Sequence, residues 1–130
     1  MELCPSRSRE PLRSDPETWL PSLMRSIGPA GRTLWLMHES PMGLPIARPE
    51  LSNPAWKHAV ERFGPRVVIC GHDHSTPLDS QAWHAALGKT MCVNVGQADA
   101  VFHYVVLDFE FNRTSSAMRT GRGIWTVVPF

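Results

Sequence analysis

The sequence predicts a layered α/β protein in which helices flank a mixed β-sheet. Two stretches in the first half carry apolar residues at helical spacing, and each is followed by a short apolar run of strand length. The second half alternates apolar runs with turn residues, as a series of strands does. The order helix, strand, helix, strand and then several strands favours a sheet that helices cover on at least one side.

Composition limits the classes of protein to consider. The chain has 130 residues, 19% of them charged and 42% apolar, with a net charge of +1, which is typical of a soluble globular domain and does not indicate nucleic-acid binding. No apolar stretch approaches the ~20 residues of a membrane span. Three widely spaced cysteines indicate a reduced intracellular chain. We expect a cytoplasmic protein with a flexible leader over residues 1–16 and a single domain over residues 17–130.

The first helix is indicated by apolar residues that recur at helical spacing from Trp19 to Ile27. Thr18 is the predicted N-cap, and Pro21 then falls in the first turn, where its missing N–H is tolerated. Gly28 is the predicted end of the helix. These residues predict a helix that lays one apolar face on the sheet.

A strand and a loop follow the first helix. The apolar run over residues 33–37 predicts a strand that ends at His38. Residues 40–49 contain three prolines and a glycine, which predicts a loop. Its proline content is typical of a fixed wall of a site.

The second helix and its strand have clear boundaries. Asn53 is a predicted N-cap and Pro54 occupies the first helical position, while Gly64 ends the helix. The continuous apolar run over residues 67–70 is typical of a strand that is buried on both faces, and it stops at Gly71.

The second half of the chain is predicted to be β-structure. Residues 82–87 and 90–95 flank Gly88 and Lys89, which is a hairpin signal. The remaining chain predicts a strand, a loose turn region and a final strand, over residues 102–111, 112–123 and 123–128.

Three histidines, His38, His72 and His74, lie just beyond the apolar strands. Strand ends are where layered α/β proteins place their sites. A histidine pair spaced His-x-His can reach two metal ions or two corners of one, and imidazole binds Zn, Mn, Fe and Ni alike. A lone histidine after a strand is more often an ordinary surface residue. The conjunction of a buried strand, Gly71 and the three histidines therefore carries the prediction of a metal site.

Three motifs resemble those of the calcineurin-like metallophosphoesterases, in the same order along the chain. The run Val67–His74, which ends Gly-His-Asp-His, resembles the GHxH motif of that family. The run Leu34–Pro41 resembles the strand and histidine motif that precedes GHxH, and Cys92–Gly96 resembles the V-N-x-G strand that follows it. The resemblance covers residues 17–111 and implies the C-terminal half of a four-layer αββα sandwich.

The resemblance also implies a ligand set. In that family the histidine matching His38 and the first GHxH histidine, here His72, bind one metal, and the second, here His74, binds the other. It implies a hydrolase that uses two divalent ions, Mn, Fe, Zn or Ni, to cleave phosphomonoesters or phosphodiesters. Two such ions about 4 Å apart hold the phosphate oxygens and lower the pKa of a bridging water.

The family's D-x-H, G-D-x-x-D and G-N-H-[DE] motifs do not occur in this sequence, so no bridging carboxylate and no catalytic residue is identified. Two dications repel strongly without anionic ligands between them. We therefore expect the chain alone to be a weak or inactive phosphoesterase. An N-terminal half of the fold, or further copies of the chain, would cover the sheet face that this half exposes.

Three neighbouring residues are candidates for supporting the metal loop. Asp73 would orient an imidazole, or else face the solvent as a loop carboxylate. Asn94 would support the loop by hydrogen bonds, or else serve a turn at a strand end. Gly71 would let the backbone approach closely.

Two further functions stay open at this stage. One is a catalytically inactive phosphoesterase-fold domain that scaffolds or binds a partner. The other is a mononuclear zinc site in which the three histidines and a water complete four positions. Metal content distinguishes them, since the dinuclear site would hold two equivalents, the mononuclear site one and the scaffold none.

Overall fold

The computed structural model describes residues 15–97, 103–110, 113–120 and 125–129, which form a mixed α/β structure with helices flanking a mixed sheet. The predicted leader lies outside the described residues except for its last two positions. The helices are α1 (Pro16–Ile27), α2 (Pro54–Phe63) and α3 (Thr76–Ser80). The strands are β1 (Leu34–Leu36), β2 (Ser40–Pro41), β3 (Ser52–Asn53), β4 (Val67–Ile69), β5 (His84–Leu87), β6 (Thr90–Val93), β7 (His103–Glu110), β8 (Arg113–Thr120) and β9 (Trp125–Pro129). No helix among these residues is long and apolar enough to cross a membrane.

The first helix begins earlier than the sequence predicted. Asp15 is the N-cap, because its side chain accepts the Glu17 N–H at 3.0 Å and Pro16 supplies the first helical position. The prediction of Thr18 as the cap was wrong, and the Thr18 hydroxyl instead donates to the Asp15 carbonyl at 2.7 Å. Pro21 consequently lies inside α1 rather than in its first turn. The predicted end of the helix at Gly28 is confirmed.

The second helix follows its sequence signals closely. The Asn53 side-chain oxygen accepts the N–H groups of Ala55 and Trp56 at 2.9 and 3.4 Å, so it caps α2 as predicted. Gly64 ends the helix in the left-handed conformation, with φ 61° and ψ 56°, and its N–H donates to the Val60 carbonyl.

The main sheet has four strands in the order β1-β4-β6-β5. β1, β4 and β6 are parallel, and β5 joins β6 antiparallel through the predicted hairpin. The register places Trp35 beside Val68 and Val68 beside Cys92, and this row belongs to the buried core. Because β1 and β4 are parallel neighbours, the loops that follow them lie next to each other at the carboxyl end of the sheet.

Helices α1 and α2 cover one face of this sheet. Leu20 and Met24 of α1 and Val60 of α2 are buried against the strand row that contains Trp35. The other buried members of this cluster are Met37, Leu44, Ile46, Ala59, Val68, Cys70 and Cys92. Burial raises the pKa of the Cys70 thiol to about 11 and that of the Cys92 thiol to about 12. Both cysteines are therefore neutral core residues at ordinary pH.

The later part of the chain contains more β-structure than the sequence predicted. β7, β8 and β9 form a three-stranded antiparallel sheet with β8 in the centre. The predicted loose turn region over 112–123 was wrong, since residues 113–120 are a full strand. This segment has few apolar residues. It is a strand because its backbone pairs with β7 and β9, and such pairing cannot be predicted from a local side-chain pattern. The short helix α3, directly after the histidine motif, was also not predicted.

Candidate metal centre

His38 and His72 lie side by side at the carboxyl ends of β1 and β4. The pairing of the two strands continues past their ends, because Met37 N–H donates to the Ile69 carbonyl at 2.9 Å and Gly71 N–H donates to the His38 carbonyl at 3.0 Å. The two imidazole rings have centroids 4.6 Å apart and planes tilted by 59°. Both residues are exposed. The structure thus brings together two of the three predicted ligands in an arrangement that solvent can reach.

His72 adopts a backbone conformation that costs energy. Its φ is +67°, which lies in the left-handed region that side chains other than glycine rarely occupy. The neighbouring Gly71 has no such angle, and a Cβ there would lie 3.9 Å from the His38 carbonyl oxygen, an ordinary contact. Strain of about 1–3 kcal/mol at such a residue persists only where the surroundings enforce it, and such residues cluster at functional sites.

Asp73, between the two histidines of the motif, is fully buried. One carboxylate oxygen accepts the Arg48 N–H at 2.8 Å and the Thr76 hydroxyl at 2.7 Å, and the other accepts the Ser75 and Thr76 N–H groups at 3.2 and 3.0 Å. The Arg48 Nε also lies 3.3 Å away. These donors occupy the carboxylate, so Asp73 fastens the histidine loop to the proline-rich loop and to the first residue of α3.

The charge of Asp73 is stabilised by these hydrogen bonds. Burial by itself would raise the pKa of this carboxyl. The N–H groups of Arg48 and Thr76, together with their side chains, outweigh burial and hold the pKa of Asp73 well below its ordinary value. The carboxylate is therefore ionised throughout the pH range in which a metal site would work.

Asn94, just after β6, ties three segments together. It is buried, and its side-chain Nδ2 donates to the carbonyls of Ile46 and Asp73 at 3.0 and 2.9 Å. Its Oδ1 accepts the Gly96 N–H at 3.1 Å. The side chain therefore joins the proline-rich loop, the histidine loop and the chain after β6 at one point.

His74 follows Asp73 in the same loop, and its side chain is exposed. Its backbone carbonyl accepts the Gln97 N–H at 2.9 Å and is approached closely by Gly96. A Cβ at Gly96 would stand 2.6 Å from this oxygen, and the φ of Gly96 is +66°. Only glycine fits at Gly96 without moving the loop that carries His74.

The carboxylate of Glu39, the residue after His38, is bound by a neighbouring side chain and is only partly exposed to solvent. Glu39 is half-buried, and its carboxylate accepts the Asn53 side-chain N–H at 2.6 Å. Since Asn53 also caps α2, this bond ties the residue after His38 to the start of the second helix.

The described side chains that could bind a metal ion near His38 and His72 are few. No group of three or more His, Cys, Asp or Glu side chains that could hold a metal ion occurs in the part of the chain that the structure describes. The His38 and His72 imidazoles, with ring centroids 4.6 Å apart, supply two nitrogen donors of the type that zinc and similar divalent ions accept. The carboxylates next to these histidines in the sequence, Glu39 and Asp73, both accept hydrogen bonds from other residues, so neither is a free anionic ligand that could lie between two ions.

Comparison of the chain with protein-family models, with curated proteins and with solved structures finds no match in any of the three. The chemical interpretation therefore depends on the residues and their geometry.

Several contacts of this centre were not anticipated from the sequence. Arg48 and Thr76 hold Asp73, and Gly96 makes room for the His74 carbonyl. The start of α3 could have been predicted from the Ser75-Thr76-Pro77 sequence, which is typical of a helix N-terminus. Nothing local in the sequence marks Arg48, because its partner lies far away along the chain. Gly96 belongs to the V-N-x-G motif, but its close approach to the His74 carbonyl is not visible in the sequence.

Proposed function

We propose that this chain carries the histidine side of a metal-dependent phosphoesterase site, in which His38 and His72 bind one divalent ion. The observation that supports it most is the pair of exposed imidazoles, 4.6 Å apart, at the ends of two parallel strands. The hydrogen bonds of the buried Asp73 and Asn94 support the loop that carries His72, and the Gly71 N–H joins this loop to the His38 carbonyl. A rigid support of this kind is what a metal ligand needs.

A divalent ion bound there would polarise a phosphoryl oxygen and lower the pKa of a bound water. The protein's own contribution is to hold the two imidazoles at the solvent-accessible carboxyl end of the sheet. It also binds Asp73 through other groups, so that this carboxylate is not a metal ligand. The carboxylate ligands of a complete two-metal centre would come from another polypeptide or from residues outside the described ranges. The expected substrate is a phosphate ester, and the chain by itself would turn it over weakly or not at all.

Metal titration tests this proposal directly. We expect purified chain to bind one equivalent of Zn²⁺ in equilibrium dialysis, and His38→Ala and His72→Ala each to weaken binding at least about tenfold, because even the partners of metal ligands typically contribute 10–100-fold. His58→Ala is the matched control, since His58 is an exposed histidine on α2 and is not one of the predicted ligands. Tight binding of two equivalents, or unchanged affinity in both histidine variants, would contradict the proposal.

An activity assay separates a partial site from a complete one. With Mn²⁺ or Zn²⁺ and an aryl phosphate ester, the chain alone is expected to show no turnover above the His72→Ala variant. Robust turnover that disappears in His72→Ala would show that the described residues already suffice, and the partial-site proposal would then be wrong.

A non-catalytic domain that keeps this fold is the second candidate. The observation that favours it is that no three metal-ligating side chains come together among the described residues. A chain that binds no Zn²⁺ in the same dialysis would support this function over the first.

A further inference from the structure

Glu39 lies between the candidate ligand His38 and the buried strand β2, and its side chain reaches the start of α2. One carboxylate oxygen, Oε2, accepts the Asn53 side-chain N–H at 2.6 Å. Glu39 is half-buried, whereas His38 is exposed. The residue directly after the candidate ligand is therefore joined to another element of the fold by a side-chain hydrogen bond.

The Asn53 amide is fixed by its role as the cap of α2. Its Oδ1 accepts the N–H groups of Ala55 and Trp56 at 2.9 and 3.4 Å, so the oxygen must face the helix. The NH₂ group of the same amide then faces away from the helix end, towards Glu39. The Asn53 backbone is also held, because its carbonyl accepts the Met42 N–H at 3.2 Å and β3 pairs with β2. Glu39 is thus bound to a donor whose position does not depend on the histidines.

The ring of His38 has no hydrogen bond of its own within the described residues, and it lies beside the ring of His72. The direction of the His38 imidazole therefore depends on the backbone on its two sides. On one side, Met37 is buried and its N–H donates to the Ile69 carbonyl. On the other side, Glu39 supplies the bond to the cap of α2.

We propose that Glu39 is a positioning residue, which directs the His38 imidazole towards a divalent metal ion through its hydrogen bond to Asn53. The inference rests on the proposed function, because it concerns the ion that His38 and His72 would bind. A ligand that is already held in the binding direction loses less conformational freedom when the ion arrives. Glu39 acts through this hydrogen bond and does not itself bind the ion.

A direct ligand role for Glu39 makes a different prediction. A carboxylate ligand acts through its negative charge, which glutamine lacks, whereas the bond to Asn53 needs only an acceptor oxygen, which glutamine retains. Glu39→Gln therefore separates the two roles, and Glu39→Ala removes both.

The hydrogen bond can also be broken and rebuilt from its other end. Asn53→Asp keeps the cap of α2, because aspartate accepts the helix N–H groups as well as asparagine does. It removes the NH₂ donor and places a second carboxylate against Glu39. In the double variant Glu39→Gln with Asn53→Asp, the glutamine NH₂ donates to the introduced carboxylate, so the bond is restored with donor and acceptor exchanged. The net charge of the exchanged pair equals that of the unmodified pair.

Equilibrium dialysis of the whole chain with Zn²⁺ measures the effect on the site. We expect Glu39→Ala and Asn53→Asp each to weaken Zn²⁺ binding about 3–10-fold, a smaller loss than the about 10–100-fold that is typical of groups bound directly to a ligand. Glu39→Gln and the double variant should bind within about twofold of the unmodified chain. Glu61→Ala is the matched control, since Glu61 is an exposed carboxylate of α2 paired with Lys57, and it should leave the affinity unchanged.

Two further measurements separate positioning from a general loss of stability. The absorption spectrum of Co²⁺ bound in place of Zn²⁺ reports the coordination geometry, and it should change in Glu39→Ala but not in Glu61→Ala. Urea denaturation of the metal-free variants shows that each is folded under the dialysis conditions. It should also give a favourable coupling between positions 39 and 53 when the exchanged pair is compared with the single variants.

Equal weakening by Glu39→Gln and Glu39→Ala would overturn the proposal in favour of a direct ligand. A double variant that binds Zn²⁺ as weakly as Asn53→Asp would overturn it as well. Unchanged affinity in every variant would also overturn it, while binding that still depends on His38 and His72 would leave the proposed function standing. If the unmodified chain binds no Zn²⁺, the proposed function and this inference are both wrong.

Discussion

Replacing Asp73 by asparagine is expected to lower the free energy of unfolding by about 2–4 kcal/mol, measured by urea denaturation. Asparagine has nearly the same shape, but one carboxylate oxygen becomes an NH₂ group that cannot accept a hydrogen bond. The N–H groups of Arg48 and Thr76 donate to different oxygens of the carboxylate. In either orientation of the asparagine amide, one of these N–H groups therefore faces the NH₂ group instead of an acceptor. Loss of the negative charge also weakens the contact with the Arg48 guanidinium.

Asp79→Asn is the matched control, because Asp79 is an exposed aspartate in α3. A surface change of this kind should alter stability by less than about 0.5 kcal/mol. Equal effects of the two substitutions would show that the buried carboxylate does not hold the loops together.

The same pair of proteins makes a prediction about pH. The pKa of Asp73 is lower in the folded chain than its ordinary value, so its contribution to stability is fully present above about pH 4, the pKa of an aspartate in an unfolded chain. It is lost as the pH falls further, towards the folded-state pKa. The stability difference between the unmodified chain and Asp73→Asn should therefore be constant near neutral pH and shrink in acid. A difference that grows on acidification would contradict this assignment.

Replacing Gly96 by alanine is the second substitution with a large expected effect. The added Cβ would stand 2.6 Å from the His74 carbonyl oxygen and 3.2 Å from Leu78, so the backbone of the histidine loop must move. Alanine also resists the φ of +66° at this position, by about 1–2 kcal/mol. Together these effects should lower the free energy of unfolding by at least about 3 kcal/mol.

Gly88→Ala separates the two contributions. Gly88, in the turn between β5 and β6, has a similar φ of +61°, but a Cβ there would meet no atom within 4 Å. It should cost only about 1–2 kcal/mol in the same urea titration. If both alanine variants lose the same stability, the close approach of Gly96 to the loop is not what requires glycine.

Sequence signals predicted the fold best where they act locally. The cap at Asn53, the stop at Gly64 and the hairpin at Gly88 depend on neighbouring residues, and the structure confirms all three. The cap of the first helix was misplaced because Thr18 and Asp15 are both good caps, and Pro16 decides in favour of Asp15. β8 was missed because pairing with two neighbouring strands, rather than an apolar pattern, makes it a strand.

The candidate site also combines features that local sequence signals predict with features that depend on residues far away in the chain. The positions of His38 and His72 at strand ends could be predicted, because a buried apolar run followed by a polar residue marks the end of a strand. The role of Asp73 could not be predicted, since its partner Arg48 is 25 residues earlier in the chain. The left-handed backbone conformation of His72 could not be predicted either, because glycine is the residue type that usually adopts this conformation, and Gly71 is adjacent.

The hydrogen bonds of Asn94 set the order in which the histidine loop can become rigid. They join it to Ile46, 48 residues earlier, and to Asp73, 21 residues earlier. Contacts of such sequence separation are slow to form, because closing a long loop costs conformational entropy. A growing chain that ends before Asn94 already contains His38, His72 and the leucines of β1 but lacks the side chain that clamps the loop. The histidine loop therefore gains the hydrogen bonds of Asn94 only after synthesis has passed β6, whereas the bond between Arg48 and Asp73 does not depend on β6.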